Sequence, residues 1–277
     1  AILPAPEDCI YICDEGHRLG DTAVRHFGAE CRINSTLAWL ERIPKQCKGQ
    51  APIFAKDKAL VQQLPRIEKE SKKISDLLAI AYPLMKEYLD KSDEFADGFR
   101  FPHGDVGSTI RDLAGQITQH TSAWLGRLEV LEDTLSEALS DKQYPIATAE
   151  IELFYQQSGI WLSGAERLLG LWGRLHKQSK QDDIPIACWW KLDDTSPGNI
   201  DISIIASPIQ AAEILKDRLW GNCFGAVMTS ATLRSLGNFN ALQRETGVPS
   251  SAFFLSVAGA FDYTKSASLV VPADAVE

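Results

Sequence analysis

The feature that most limits what this chain can fold into is an interruption. A short apolar run, Cys9-Ile10-Tyr11-Ile12-Cys13, stops abruptly at Asp14-Glu15-Gly16-His17, and strand-like segments return only after Asp183. A strand apolar on both faces suits the centre of a parallel sheet covered by helices. In such sheets ligand sites lie at the carboxyl ends of the strands, which is where the acidic pair falls.

The intervening residues read as long helices. Residues 56–90 carry Leu60, Leu64, Ile67, Ile74, Leu77, Leu78, Ala81, Leu84 and Met85 at helical spacing, with Pro65 and Pro83 expected to kink or interrupt the run. Residues 93–107 hold Gly98, Pro102, Gly104 and Gly107 and read as a loop. A second helix over 108–139 presents Ile110, Leu113, Ile117, Trp124, Leu128, Leu131 and Leu135, and a third covers 147–177. Three long antiparallel helices, each burying one stripe, make an inserted helical domain.

Beyond it, strands are expected over 184–192 and 200–206 with a turn at Ser196-Pro197-Gly198-Asn199. A helix over 208–220 begins at a proline, as helix starts prefer. Residues 224–228 form another apolar strand, ending in Thr229-Ser230-Ala231-Thr232-Leu233, and Gly247 closes a short helix over 238–246. Residues 253–257 and 269–271 read as further strands. The domain boundaries that follow are 1–33, 34–183 and 184–277.

Composition sets limits on function. No apolar run approaches the roughly 20 residues needed to cross a bilayer, and no secretory signal pattern is present, so a cytoplasmic protein is expected. A net charge of −9 argues against a broad basic surface for nucleic acid but leaves room for a local groove. The six cysteines, Cys9, Cys13, Cys31, Cys47, Cys188 and Cys223, contain no C-x-x-C pair and read as reduced, mostly buried thiols. Cys9 and Cys13 share one face of the first strand. Trp124, Trp161 and Trp172 fall in helical stripes and are expected in the core, while Trp189-Trp190 should point to opposite sides of a strand.

Two short motifs carry chemistry. An Asp at the end of a parallel strand, here Asp14, can hold magnesium, largely through water, against the phosphates of a nucleotide. Glu15 beside it can contribute to the metal site and can orient and deprotonate an attacking water, and His17 can sense the γ-phosphate. Such acidic pairs also occur as plain solvated turns. Ser230-Ala231-Thr232 follows a second buried strand, so its hydroxyls would reach the same sheet edge and could bond His17 or the carboxylates. Taken alone, the segment reads equally as a helix cap.

In this order the two motifs resemble those of the DinG branch of the XPD-like superfamily 2 helicases. Asp14-Glu15-Gly16-His17-Arg18-Leu19 with Asp21-Thr22-Ala23, preceded by Ala1-Ile2-Leu3-Pro4-Ala5-Pro6, looks like motif II, a DEAH box in which Gly16 replaces the commoner Ala. Thr229-Ser230-Ala231-Thr232-Leu233-Arg234-Ser235-Leu236 is similar to motif III, and residues 239–247 continue the likeness. Phe261-Asp262-Tyr263 and Leu269-Val270-Val271-Pro272 resemble the exit towards a second motor domain. The long helical interval matches the arch that such helicases insert between these motifs.

The resemblance implies an α/β fold: part of a RecA-like parallel-sheet motor domain (1–33 and 184–277) interrupted by a mainly α-helical arch (34–183). It implies an ATP-dependent 5′–3′ DNA helicase of repair or replication, working with ATP and magnesium on single-stranded or forked DNA in the bacterial cytoplasm. The family's iron–sulfur cluster uses cysteines upstream of motif II; none of the six here matches them. In the arch, Arg100, Phe101, His103 and Arg111 gather basic and aromatic side chains near one loop, as single-strand grooves require, although a solvated loop is the plainer reading. Two other functions fit the same residues: an arch that docks a repair or replication protein, and a CRISPR-associated DinG-like helicase.

The sequence has no G-x-x-x-x-G-K-[ST] phosphate cradle and no arginine-bearing motif of a second motor domain. Phosphoryl transfer needs charge stabilisation from both sides. The 277-residue chain by itself is therefore expected to release no phosphate from ATP above background in a coupled assay. Sustained turnover would contradict this.

Overall fold

The computed structural model describes residues 4–90, 98–177, 184–196, 199–259, 263–266, 268 and 270. Two compact units are present, one formed by residues 1–20 with 212–277 and the other by 21–211. The boundaries read from the sequence at 33/34 and 183/184 both fall inside the second unit.

In the first unit, β1 (Ile10–Cys13) pairs in parallel with β6 (Gly225–Met228), in the register Ile10 to Gly225 and Cys13 to Met228. The helical segments of this unit include α7 (Ala212–Leu215), which runs into a π-helical turn Lys216–Trp220, and α8 (Asn240–Thr246). Trp220 Nε1 donates to the Thr246 carbonyl at 2.6 Å, tying that turn to the end of α8. Gly247 ends α8 with φ +66°, and a Cβ there would lie 2.4 Å from the Ala212 carbonyl oxygen, so glycine satisfies both backbone and space.

The second unit is a helical bundle closed by a four-stranded antiparallel sheet. After α1 (Leu19–Phe27), which crosses the division between the units, come β2 (Ala29–Arg32), α2 (Ile33–Leu40), α3 (Ile43–Gln50) and α4 (Lys58–Asp90). They are followed by β3 (Gly98–Arg100), α5 (Gly107–Ser140), α6 (Thr148–His176), β4 (Ile186–Ser196) and β5 (Asn199–Pro208). The sheet order is β2-β5-β4-β3.

The helical stripes behave as their spacing demands. Ile110, Leu113, Ile117, Trp124, Leu128, Leu131 and Leu135 of α5 are buried together with Ile151, Phe154, Trp161, Leu168 and Trp172 of α6. α4 packs on α5, and α5 on α6. Trp190 is fully buried while Trp189 is half-buried on the opposite side of β4.

Several expectations need correction. α4 runs uninterrupted through Pro65 and Pro83. Both rings lie on the exposed side, where water can satisfy the carbonyls they leave unbonded. The loop over 93–107 contains β3 and a 3₁₀ turn at Pro102–Gly104, because Phe99 pairs with Trp190 across an antiparallel ladder; residues 93–97 lie outside the described residues. The helix expected from Pro208 begins at Ala212, since Pro208 still pairs with Ile186 and the Ile209 amide bonds the Pro185 carbonyl. Residues 253–257 form no strand; Phe253, Leu255 and Val257 are exposed and have no pairing strand among the described residues. β1 is not fully covered either, for Ile10 and Ile12 are exposed among the described residues. Residues 197–198, 261–262, 269 and 271–272, with the turn, motif and strand readings placed on them, lie outside the described residues, as do residues 1–3.

One buried carboxylate fastens this second unit. Asp201 on β5 is 1% exposed, and its Oδ1 accepts from the Asn34 amide at 2.8 Å and from the Ile202 amide at 2.8 Å. Its Oδ2 accepts from the Ser35 amide at 2.9 Å and the Ser35 hydroxyl at 2.7 Å. Helix α2 has no capping side chain of its own, so Asp201 supplies that function from across the sheet. Asp201→Ala should lower unfolding free energy by about 2–4 kcal/mol, with Asp201→Asn milder because it keeps one acceptor. Urea denaturation checks this; equal stability of wild type and alanine variant would contradict it.

Candidate active site

The site begins where β1 and β6 end. The ladder continues one step past the strands: the Thr229 amide donates to the Cys13 carbonyl at 2.9 Å, and the Gly16 amide donates to the Thr229 carbonyl at 2.9 Å. Asp14-Glu15 and Ser230-Ala231-Thr232 are thereby held side by side at the carboxyl ends of two parallel strands.

Glu15 adopts a left-handed backbone, φ +51° and ψ +40°. A non-glycine residue there carries strain, and such strain gathers at functional sites. Here it turns the chain so that Gly16 drops against Met228. A Cβ on Gly16 would stand 2.0 Å from Met228 Cγ and 2.8 Å from its Sδ. Glycine at this position of a DEAH-type motif thus has a steric partner in the second strand, which the sequence pattern did not reveal.

The side chains make a closed set of contacts. His17 Nδ1 is 2.8 Å from Ser230 Oγ and 3.2 Å from Glu15 Oε2. Ser230 Oγ donates to Glu15 Oε2 at 3.1 Å, and the Thr232 amide donates to Ser230 Oγ at 3.3 Å. With the serine proton committed to Glu15, Nδ1 must carry hydrogen; a bare Nδ1 would face the carboxylate lone pairs at close range. Thr232 Oγ1 lies 3.4 Å from Ser230 Oγ and completes the cluster.

Asp14 stands at the edge of this network. Its Oδ1 accepts from the Glu15 amide at 3.0 Å, while the carboxylate as a whole is exposed. Magnesium commonly takes one or two protein carboxylates and completes its sphere with water and phosphate oxygens. Two adjacent carboxylates, each with one oxygen outside the hydrogen-bond network, fit that habit. Among the described residues no group of three or more His, Cys, Asp or Glu side chains is placed to hold a metal by itself.

Cys31, Cys47 and Cys188 are buried in the second unit. Burial pushes the thiols of Cys31 and Cys188 up to about 11 and that of Cys47 to about 12, so all three stay protonated at neutral pH. Cys13 is raised by burial and then by its neighbour Cys223. No helix among the described residues is long and apolar enough to cross a membrane.

Of the residues read as a nucleic-acid patch, Arg100, Phe101 and His103 line one groove, and Arg111 is not among its lining residues. Phe101 is buried, 4.6 Å from Trp190 and 5.8 Å from Tyr88 between ring centroids. Arg111 is held by Asp105 Oδ1 at 2.5 Å. Arg100 is exposed at the end of β3, and His103 sits on the following turn with φ +56°.

No family model matches the chain. Three curated relatives align with nearly all of it. An ATP-dependent DNA helicase DinG from Photobacterium profundum is 29% identical over 279 residues, covering 100% of this chain and 39% of the relative. The DinG helicase of Escherichia coli K12 is 23% identical over 284 residues, covering 100% of this chain and 38% of its own. That of Salmonella typhimurium is 22% identical over 281 residues, covering 98% and 38%. The chain is similar to these DinG helicases along its whole length. It spans about two-fifths of the length of these relatives.

The contact of Gly16 with Met228 makes a direct prediction. Gly16→Ala should destabilise the chain by about 1–3 kcal/mol through overpacking, and Met228→Ala in the same chain should recover part of that loss. Denaturant titration of both single variants and the double variant measures the coupling. Strict additivity would show that the two positions do not meet.

Proposed function

We propose that the chain is the part of an ATP-dependent DNA helicase that carries one wall of the nucleotide site and the segment linking that site to movement. On this reading the unit built on β1 and β6 belongs to the first motor domain, and the helical unit is the inserted arch. The observation that carries the proposal is the contact between His17 and Ser230 at 2.8 Å, made by residues 213 positions apart in sequence. The names of the curated relatives support the same reading and favour neither a protein-docking module nor a CRISPR-associated enzyme.

The geometry suggests how the work is divided. Asp14, with Oδ1 bonded to the Glu15 amide, would offer Oδ2 to magnesium or to one of its waters. When bound, the ion neutralises charge on the β- and γ-phosphate oxygens of ATP. Glu15 Oε2 is taken by Ser230 and faces His17, which leaves Oε1 to accept the proton of an attacking water. His17 fixes the orientation of that carboxylate and connects it to the 230–232 segment. A shift in either partner is then felt by the other, the physical content of coupling between hydrolysis and motion.

The phosphate cradle and the opposing arginine motif would come from the portions of a longer protein that the relatives' extra length represents. Single-stranded or forked DNA is its proposed partner, and the bacterial cytoplasm its proposed place. In such a parent protein, Glu15→Gln should cut DNA-stimulated ATP hydrolysis by about a hundredfold or more while nucleotide binding persists. An unchanged rate would remove Glu15 as the base and the proposal with it.

A further inference from the structure

One face of the antiparallel sheet carries a feature outside the two sequence motifs. Arg100 on β3 and Trp189 on β4 are directly opposed partners in the ladder, so their side chains stand next to each other on one face. Their neighbours Phe99 and Trp190 are paired in the same ladder and point the other way, with Trp190 fully buried. Trp189 is half-buried and Arg100 exposed.

These two residues border a groove of about 840 Å³, within the size range of ligand clefts. Its walls include Ile186, Pro208 and Ile209, and His103 sits on its rim. No Asp or Glu lines it among the described residues, although the sequence holds 37 acidic residues against 28 basic ones. Arg32 is paired with Asp193 and Arg111 with Asp105, whereas Arg100 has no acidic partner among the described residues. The turn bearing His103 is held by the Gly104 amide bonding the Phe101 carbonyl at 3.0 Å, so the imidazole is presented from a fixed backbone.

An exposed arginine with no acid beside it, a flat indole next to it and an apolar trough without carboxylates, all among the described residues, together suit an anion that carries a flat ring. We propose that this groove takes an unstacked base of single-stranded nucleic acid, with the base lying on Trp189 and its phosphate on Arg100. The inference rests on the helicase reading and adds to it a residue-level contact in the helical unit.

The 277-residue chain can be titrated into a fluorescein-labelled oligothymidylate and into an abasic oligomer of equal length at several salt concentrations. The base-bearing strand should bind about tenfold tighter than the abasic one. Trp189→Ala should erase that preference and Trp189→Phe should keep most of it. Arg100→Glu should weaken binding of both strands and lower the salt slope by about one. Arg100 is exposed at a sheet edge, so this variant tests the groove even where Trp189→Ala fails to fold. No preference for bases, a preference that survives Trp189→Ala, unchanged binding by Arg100→Glu, or equally tight binding of a polyglutamate peptide would each overturn the proposal. In a longer parent protein, DNA-stimulated ATP hydrolysis that collapses with Glu15→Gln but ignores Arg100→Glu would discard the groove and leave the helicase reading standing.

Discussion

Parallel pairing of Ile10–Cys13 with Gly225–Met228 is the constraint on which the site depends. Neither strand holds functional side chains within its own span; both deliver them one or two residues past the end. The amide of Thr229 and the amide of Gly16 extend the ladder beyond the strands, and that extension fixes the separation of Glu15, His17 and Ser230. Parallel strands require a crossover, and here the crossover includes an entire second compact unit. The site therefore exists only when segments far apart in sequence have found each other. That makes a hydrogen-bonded cluster at their junction a sensitive place to register change.

The second unit is organised by different physics. Long amphipathic helices bury tryptophan, leucine and isoleucine in one continuous core, and the sheet is fastened to them by the Asp201 carboxylate and by the aromatic group around Trp190. Burying a carboxylate is tolerable because four donors meet it. On the sheet face that carries Trp189, Asp193 and Asp201 stand further along the strands, while the groove beside Arg100 and Trp189 is lined by no carboxylate among the described residues.

The helices were legible because spacing at three and four residues is a strong, long-range signal; Ile110 to Leu135 is buried position by position. The strand ends were legible because apolar runs stop sharply at Asp14 and Thr229. β3 was hidden, since three residues starting at a glycine carry no periodicity, and only the ladder with β4 makes Gly98–Arg100 a strand. β2 was hidden for a like reason: Ala29–Arg32 alternates weakly, and its place is set by β5. The pairing of Gly16 with Met228 could not be read from one sequence, because nothing local in either segment names the other. Phe101 shows the converse error, an aromatic residue beside basic ones that chemistry suggested for the surface and packing placed in the core.

The central claim is that His17 and Ser230 act as one unit linking Glu15 to the 230–232 segment. A double-mutant cycle of His17→Ala and Ser230→Ala, read as the rate of forked-DNA unwinding by a longer protein carrying this segment, tests it most directly. The account predicts non-additive losses, with the double variant little worse than the worse single one and a coupling of roughly 0.5–3 kcal/mol. Independent, additive losses would contradict it, for then the 2.8 Å contact would carry no shared work.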